Sequence, residues 1–178
     1  MAIKALFLDR DGVININHGY VHRVEDFEFI NDIFEITSYA QNKSYKIFVI
    51  TNQAGIGRGY YDVAAFNTLT TWMCKQFKNK NIEIVKVYFS PYHPTAGIGK
   101  YKKNHHTRKP NPGMILKAQT EFSIDLDNSI LIGDKMSDIH AGIFAGVATN
   151  ILFDKCKKEK NNNFHVISNL KDAKKYIK

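Results

Sequence analysis

The sequence has little cysteine, proline or tryptophan and no long hydrophobic run. Its two cysteines, Cys74 and Cys156, lie far apart and form no C-x-x-C pair, so neither a disulfide framework nor a cysteine-rich metal site is indicated. No apolar stretch approaches the length of a membrane span, and the first residues lack the pattern of a secretory signal. These absences predict a cytoplasmic protein with reduced cysteines and no membrane partner.

Acidic residues are also few, with 17 against 25 lysines and arginines, but the basic excess is concentrated at one end. The segment 155–178 carries eight lysines and only two acidic residues, and it includes the run "KCKKEKNNN". A nucleic-acid-binding protein usually presents its basic residues as a patch on one face. Because this run is more typical of a solvated loop and helix face, we expect no nucleic-acid partner.

Short apolar runs alternate with helical patterns along the chain. Five runs rich in Val, Ile, Leu and Phe predict buried strands at Ala5 to Leu8, Lys46 to Ile50, Ile84 to Phe89, Ser129 to Ile132 and Val147 to Leu152. Four helical patterns lie between them, the first preceded by Asp32-x-x-Glu35, which is the pattern of a capping box, and the last ended by Gly146. Residues 164–177 predict a short strand or turn and a helix. This order predicts one α/β domain of residues 1–178, a Rossmann-like three-layer sandwich with a mostly parallel central sheet.

Two aspartates, Asp9 and Asp11, directly follow the first predicted strand. Carboxylates this close raise each other's pKa, so a bound cation or a reaction is needed to explain them. Ligands of parallel sheets bind beyond the carboxyl ends of the strands. Polar residues that follow the other strands are therefore expected to meet the two aspartates at one edge. These residues are Thr51, Asn52, Arg108, Lys109, Asp134 and Asp138.

This combination of side chains suits phosphoryl transfer. Asp9, Asp11 and Asp134 supply the hard oxygen ligands that Mg²⁺ prefers. Lys109 and the Thr51 hydroxyl can stabilise the negative charge of a transferring phosphoryl group. An aspartate can attack phosphorus to form an aspartyl-phosphate, and a second carboxylate can protonate the departing oxygen.

Four short motifs carry these residues, in order and each after a predicted strand. They are D-R-D-G-V at Asp9 to Val13, a hydrophobic residue with T-N at Ile50 to Asn52, R-K-P at Arg108 to Pro110, and G-D-K-x-x-D at Gly133 to Asp138. Together they resemble the four motifs of the haloacid-dehalogenase-like (HAD) hydrolases. The resemblance implies a HAD-like fold, and the intervals between the motifs leave no room for the large cap domain of many relatives.

The resemblance also implies roles for the motif residues. Asp9 is expected to be the nucleophile and Asp11 the general acid and base, with the lysine and threonine named above as phosphoryl stabilisers. Mg²⁺ is expected to be bound by Asp9, Asp134 and the backbone carbonyl of Asp11. Asp138 is expected to hold Lys109 or Asp134 in place without binding the metal directly.

Without a cap, selectivity must come from loops. The stretches "HGYV", "TNQAGIGRGYY" and "SPYHP" resemble capless HAD phosphatases of the histidinol-phosphatase-like branch that act on sugars, which implies a small phosphorylated sugar with two phosphates as substrate. The segment Ser90 to Lys109 has five basic residues and no acidic one, which suits the second phosphate, and Arg108 is its expected ligand. The expected substrate-binding residues are Asn17, His18, Gly19, Tyr20, Asn52, Gln53, Ala54, Arg108 and Lys135.

Two other substrates remain open. A histidinol-phosphate phosphatase would share the fold and the motifs, although "HGYV" favours a sugar. A nucleic-acid 3′-phosphatase would use the same chemistry, but only the lysine-rich end supports it. We expect the chain to be a monomer, because it lacks a cap domain through which to associate.

Related enzymes often hold a structural zinc in the loop after the third strand, through cysteine and histidine ligands. This chain has Ser90, Tyr92, His105 and Thr107 at the matching positions. Because serine and threonine are poor zinc ligands and no thiolate remains, zinc is predicted to be absent. Whether His93, His105 and His106 bind another metal is left open.

The glycines at 55, 57 and 59 are spaced like those of a nucleotide-binding loop. The acidic residue expected about 20 positions later in a dinucleotide site does not follow them. The sequence therefore favours a flexible loop here.

Overall fold

The computed structural model describes residues 3–156 and 163–178. Six residues of the lysine and asparagine run, 157–162, lie outside the described residues. The strands are β1 (Ala5–Leu8), β2 (Lys46–Asn52), β3 (Ile84–Ser90), β4 (Ile130–Gly133), β5 (Thr149–Phe153) and β6 (His165–Ile167). The helices are α1 (Ile33–Asn42), α2 (Ala54–Gly57), α3 (Val63–Lys78), α4 (Gly113–Phe122) and α5 (Met136–Ala145), with 3₁₀ turns at Gly99–Tyr101, Leu126–Asn128 and Leu170–Tyr176. No helix in the described part of the chain is both long and apolar enough to cross a membrane.

The strands form one parallel sheet in the order β3-β2-β1-β4-β5-β6. The five strands predicted from apolar runs are confirmed, as is the α/β class with its parallel sheet. The carboxyl ends of β1, β2 and β4 lie side by side, since Leu8 is aligned with Val49 on one side and Ile132 on the other. In the described chain, α1 and loops separate β1 from β2, and α2, α3 and β3 separate β2 from Lys109, so no inserted cap domain covers this edge.

The strands alternate their side chains between two hydrophobic layers. In β1, Leu6 and Leu8 belong to one layer, and Ala5 and Phe7 belong to the other. The first layer is covered by α1, α3 and the Leu170–Tyr176 turn, and the second by α4 and α5. Because both faces of the sheet are covered, its strands are apolar on both sides and only its ends can carry polar chemistry.

The predicted capping box at the start of α1 is wrong. Asp32 has φ 71°, in the left-handed region, and its side chain accepts no capping hydrogen bond. Its carboxylate lies 3.2 Å from Lys171, while Glu35 pairs with Lys174 at 2.5 Å. The C-terminal 3₁₀ turn brings these lysines over α1, and this distant contact could not be inferred from the local pattern.

The glycine-rich stretch after β2 is packed, so its interpretation as a flexible loop is wrong. Residues 54–57 form α2, in which Gly55 and Gly57 are buried. A Cβ atom on Gly55 would lie 2.2 Å from the Tyr61 ring, and one on Gly57 would lie 2.2 Å from the Pro91 carbonyl oxygen. The glycines therefore permit close approach of neighbouring groups at these two positions.

Candidate active site

The loop after β1 turns sharply and brings its two aspartates to the edge of the sheet. The Arg10 carbonyl accepts hydrogen bonds from the N–H groups of Val13, Ile14 and Asn15, which closes the turn. Gly12 has φ 100°, and a Cβ atom there would lie 2.2 Å from Asp134 Oδ2. Glycine is thus required in the D-x-D-G pattern, both for its backbone conformation and for the approach of the Asp134 carboxylate.

Lys109 lies at the bottom of the site and is almost fully buried. Its Nζ lies 2.8 Å from Asp9 Oδ1 and 2.6 Å from Asp138 Oδ1, and it donates to the Ile50 carbonyl oxygen at 2.9 Å. Burial by itself lowers the pKa of Lys109, but the charges and hydrogen bonds of Asp138 and Asp9 outweigh it and hold the pKa well above its usual value. All three ammonium protons have acceptors, so the charge is fixed in place.

Three carboxylates, those of Asp9, Asp134 and Asp138, lie with ligand atoms within 4.8 Å of one another. Burial, opposed by Lys109 and reinforced by Asp138 and Asp134, raises the pKa of Asp9 to about 8. Burial is also the main cause of the raised pKa of Asp134, whose Oδ1 is buried and has no hydrogen-bond partner among the described residues. A hard divalent cation would supply this oxygen with a partner and offset the clustered negative charge, so the donor set fits Mg²⁺.

Asp138 contacts other residues through both of its oxygens. Oδ1 contacts Lys109, and Oδ2 accepts the backbone N–H of Lys135 at 3.0 Å, where α5 begins. The spacing of G-D-K-x-x-D thus lets the last aspartate reach back to the residue before the helix. Because Asp9 and Asp134 have the less occupied oxygens, the arrangement favours these two as metal ligands and Asp138 as the residue that holds Lys109.

The Asp11 carboxylate is held by three donors. Arg10 NH2 lies 2.9 Å from each of its oxygens, Asn15 Nδ2 donates to Oδ1 at 3.1 Å, and Gln53 Nε2 donates to Oδ2 at 3.1 Å. Arg10 is 1% exposed and is also bound to the Val21 carbonyl oxygen. The motifs do not predict Arg10 as a functional residue, and its position between the two aspartates is the one sequence feature that points to it.

Gln53 connects Asp11 to the second motif. Its amide nitrogen also donates to Thr51 Oγ1 at 2.8 Å, and its amide oxygen accepts from the Tyr61 hydroxyl at 2.5 Å. Thr51 is buried behind Gln53, and since its oxygen is already an acceptor, its own proton remains available to donate. Tyr61 was not predicted to be functional, although it ends the "TNQAGIGRGYY" stretch.

A cavity of about 550 Å³ opens above these groups at the carboxyl edge of the sheet. It contains eight of the nine predicted substrate-binding residues together with Asp9, Asp11 and Lys109. Those eight are Asn17, Gly19, Tyr20, Asn52, Gln53, Ala54, Arg108 and Lys135. Three lining residues were not predicted, namely Tyr61, Pro110 and Ser137.

Some predicted residues lie outside this cavity. His18 is exposed, and its Nε2 lies 3.7 Å from Glu28 Oε2, so the structure does not bring it to the site. Of the five basic residues in the segment Ser90 to Lys109, only Arg108 and Lys109 line the cavity. Among the other three, Lys100 lies over the Tyr101 ring and Lys103 over the Tyr92 ring.

A second cavity, of about 1040 Å³, lies at the amino edge of the sheet. Its walls come from the start of β2, the start of β3 and the second half of α3, and they include Cys74, Lys75 and Lys78. Among the described residues, Glu83 is the one carboxylate that lines it, so this cavity lacks the cluster of carboxylates found in the smaller one.

The four residues at the expected zinc positions contact one another in a group that we call the loop clamp (Ser90, Tyr92, His105 and Thr107). Thr107 Oγ1 donates to Ser90 Oγ at 3.1 Å and lies 2.7 Å from His105 Nδ1. The rings of Tyr92 and His105 are stacked with their centroids 3.8 Å apart. Among residues 3–156 and 163–178, the carboxylates of Asp9, Asp134 and Asp138 form the only group of three or more side chains that could hold a metal ion.

We therefore expect the purified protein to contain no stoichiometric zinc. Oxygen and imidazole groups that hydrogen-bond and stack on one another leave no thiolate to bind the ion. The measurement is elemental analysis after dialysis, with the protein concentration determined independently. One zinc per chain, retained after dialysis, would contradict this expectation.

Comparisons with known proteins place the chain among phosphatases. A family model described as polynucleotide kinase 3 phosphatase matches residues 5–174. D-glycero-alpha-D-manno-heptose-1,7-bisphosphate 7-phosphatase of Burkholderia mallei is 53% identical over 85% of this chain and 80% of its own length. The D-glycero-beta-D-manno-heptose-1,7-bisphosphate 7-phosphatase of Vibrio cholerae is 47% identical over 85% of this chain and 82% of its own length.

Solved structures show the same fold. A HAD-like phosphatase from Mesorhizobium loti matches with a TM-score of 0.91 and 31% identity, over 99% of this chain and 86% of that one. The D,D-heptose 1,7-bisphosphate phosphatase of B. bronchiseptica, solved with magnesium and phosphate, matches with a TM-score of 0.83 and 21% identity, over 98% and 97% of the two chains.

Proposed function

Because this chain belongs to the polynucleotide kinase 3 phosphatase family and, within the HAD-like hydrolases, to the D-glycero-D-manno-heptose 1,7-bisphosphate 7-phosphatases, we propose that it removes the 7-phosphate of that sugar in a Mg²⁺-dependent reaction. The product keeps its 1-phosphate and serves as a precursor of ADP- or GDP-heptose for surface glycans. One observation carries the proposal. The buried Asp9 carboxylate, paired with Lys109, lies at the base of a cavity that Asp11 also lines.

In the first step, an Asp9 carboxylate oxygen attacks the phosphorus of the 7-phosphate. The bond between phosphorus and the sugar oxygen breaks, and Asp11 gives its proton to that oxygen. The product of this step is an aspartyl-phosphate on Asp9. Lys109 and the Thr51 hydroxyl stabilise the negative charge on the other phosphoryl oxygens as it develops.

In the second step, Asp11 removes a proton from a water molecule, which attacks the phosphorus. The aspartyl bond breaks, phosphate leaves and the Asp9 carboxylate is restored. The three donors to Asp11 keep its carboxylate in one orientation through both steps, and the Tyr61 hydroxyl fixes Gln53, which is one of them.

Asp9 and Asp134, with the backbone carbonyl of Asp11, would hold Mg²⁺. The bound ion would offset the clustered carboxylate charge and polarise a phosphoryl oxygen. The unpartnered Asp134 Oδ1 and the raised pKa of Asp9 both support a cation at this place.

Arg108 is the proposed ligand of the phosphate that does not react. Its guanidinium lines the cavity and has no carboxylate partner among the described residues. Burial and the nearby charge of Arg58 lower the pKa of Arg108, so an anion at this place would relieve an unfavourable environment for its charge. A planar guanidinium is suited to bidentate binding of phosphate.

We further propose a small-molecule substrate in place of a nucleic acid, and a monomer in the cytoplasm. Lys171 and Lys174 from the lysine-rich end form ion pairs with Asp32 and Glu35, so part of that positive charge is neutralised within the protein. The described residues of one chain supply the cavity and both hydrophobic layers. Cys74 and Cys156 are both free, which agrees with a reducing compartment.

The experiment that tests this function is Mg²⁺-dependent phosphate release from four substrates. They are the α and β anomers of D-glycero-D-manno-heptose 1,7-bisphosphate, histidinol phosphate, and an oligonucleotide with a 3′-phosphate. We expect kcat/KM for one heptose anomer to exceed that for the last two substrates by at least about 100-fold. Histidinol phosphate has no second phosphate for Arg108, and the other phosphates of the oligonucleotide are diesters with a single negative charge. Equal or better turnover of histidinol phosphate or of the oligonucleotide would contradict the proposed substrate and leave the chemistry in place.

A further inference from the structure

Arg108 is held in the cavity wall by the loop clamp. Its NH1 donates to the Tyr92 carbonyl oxygen at 2.9 Å, and its backbone N–H donates to the His105 carbonyl oxygen at 2.9 Å. Both acceptors belong to clamp residues. The direction of the guanidinium therefore depends on where Tyr92 and His105 lie.

Thr107 lies at the centre of the clamp. Its hydroxyl contacts Ser90 at the end of β3 and His105 in the loop, and the His105 ring in turn stacks on Tyr92. Ser90 is fully buried and is paired with Asn52 in the sheet. Through Thr107, the loop is thus fastened to the end of a strand within the sheet.

Lys109 has an anchor of its own. Asn52 accepts the Lys109 backbone N–H at 3.1 Å and donates to its carbonyl oxygen at 3.1 Å, while the ammonium group is fixed by Asp9 and Asp138. Loss of the clamp would therefore displace Arg108 and leave Lys109 in place. The two neighbouring residues can be separated by experiment for this reason.

We propose that Thr107 is a positioning residue that acts through His105 and Tyr92 to aim the Arg108 guanidinium at the phosphate that does not react. The proposal rests on the proposed function, since it needs a substrate with two phosphates. In this proposal, the loop clamp controls the affinity for the second phosphate through hydrogen bonds and ring stacking, without a metal ion.

The test compares Thr107→Val with Thr107→Ser. Valine removes the hydroxyl at nearly constant shape, and we expect KM for the heptose bisphosphate to rise about tenfold, which is the effect of one lost hydrogen bond. The kcat for this substrate and the kinetics with p-nitrophenyl phosphate, which has no second phosphate, should stay within about twofold of wild type. Thr107→Ser keeps the hydroxyl and should restore the wild-type KM.

Thr95→Val is the matched control, because Thr95 lies in the same loop, is exposed and has no contact with Ser90 or His105.

A double-mutant cycle with Arg108→Ala shows whether Thr107 acts through the arginine. If it does, Thr107→Val adds nothing to KM once Arg108 is replaced, whereas a general structural role would add its effect in both backgrounds. Should Thr107→Val fail to fold, His105→Phe takes its place, since it keeps a ring on Tyr92 and removes Nδ1, with the same expected results.

Three results would overturn the inference. The first is an unchanged KM in Thr107→Val, or in His105→Phe if that variant is used, provided that the wild-type enzyme hydrolyses the bisphosphate. The second is a full additional effect in the Arg108→Ala background. The third is an equal loss with p-nitrophenyl phosphate. A wild type that does not hydrolyse the heptose bisphosphate at all would instead overturn the proposed function and, with it, this inference.

Discussion

Replacing Asp9 by asparagine is expected to lower kcat for phosphate release by at least about 10⁴-fold, a loss of the size seen when a catalytic nucleophile is removed. An amide has no anionic oxygen to attack phosphorus. The substitution keeps the size of the side chain and keeps an oxygen that can accept the Lys109 ammonium. The folded structure should therefore persist while the reaction stops. The measurement is phosphate release at saturating Mg²⁺ and substrate, alongside circular dichroism to check the fold.

Asp127→Asn is the control for this prediction. Asp127 is exposed, lies in the turn before β4, and makes no side-chain contact with the cavity. We expect it to retain full activity. A folded Asp9→Asn enzyme with more than about one hundredth of wild-type kcat would show that another group attacks the phosphorus.

Replacing Lys109 by methionine is expected to destabilise the protein by about 3–5 kcal/mol, because it leaves the buried carboxylates of Asp9 and Asp138 without a positive partner. For a chain of this length, that corresponds to a fall in melting temperature of roughly 6–20 °C. Activity should also be lost, since the phosphoryl group loses a charge that stabilises it. The measurement is thermal unfolding without added metal, followed by a kinetic assay below the melting temperature.

Two further variants test whether the unpaired buried charges cause the loss of stability in Lys109→Met. Lys117→Met removes an exposed lysine that forms a surface ion pair with Glu121 and should change stability by less than about 1 kcal/mol. The double variant Lys109→Met with Asp138→Asn should regain part of the lost stability but none of the activity, because it removes one unpaired buried charge. If the double variant were less stable than Lys109→Met, the uncompensated charge would not be the cause.

The parts of the fold that sequence analysis identified depend on local patterns. The apolar runs of β1 and β4 are buried on both faces, and strands of this kind produce continuous hydrophobic stretches. The sequence predicts that Asp9 and Asp134 lie together because both follow strands of one parallel sheet, whose carboxyl ends lie at the same edge. The four motifs likewise correspond to the ends of β1, β2 and β4 and to the Lys109 segment.

The errors concern two local patterns whose outcome depends on side chains outside the pattern itself. The Asp32 pattern predicts a helix cap, but in the structure Lys171 contacts Asp32 from the other end of the sequence. The glycine spacing predicts a flexible loop at Gly55, but the Tyr61 ring packs where a side chain on Gly55 would be. In each case the deciding partner is set by tertiary packing.

The site divides its two tasks between two kinds of structure. The reacting carboxylates and the buried lysine are fixed to strand ends and to one another, while Asn17, Tyr20 and Arg108 extend from loops, and none of these three side chains belongs to either hydrophobic layer. Substitutions of these three residues can change which molecule is accepted without disturbing the core or the catalytic carboxylates. An architecture of this kind can inherit its chemistry unchanged while its substrate is exchanged, which makes it a good starting point for evolving new phosphatases.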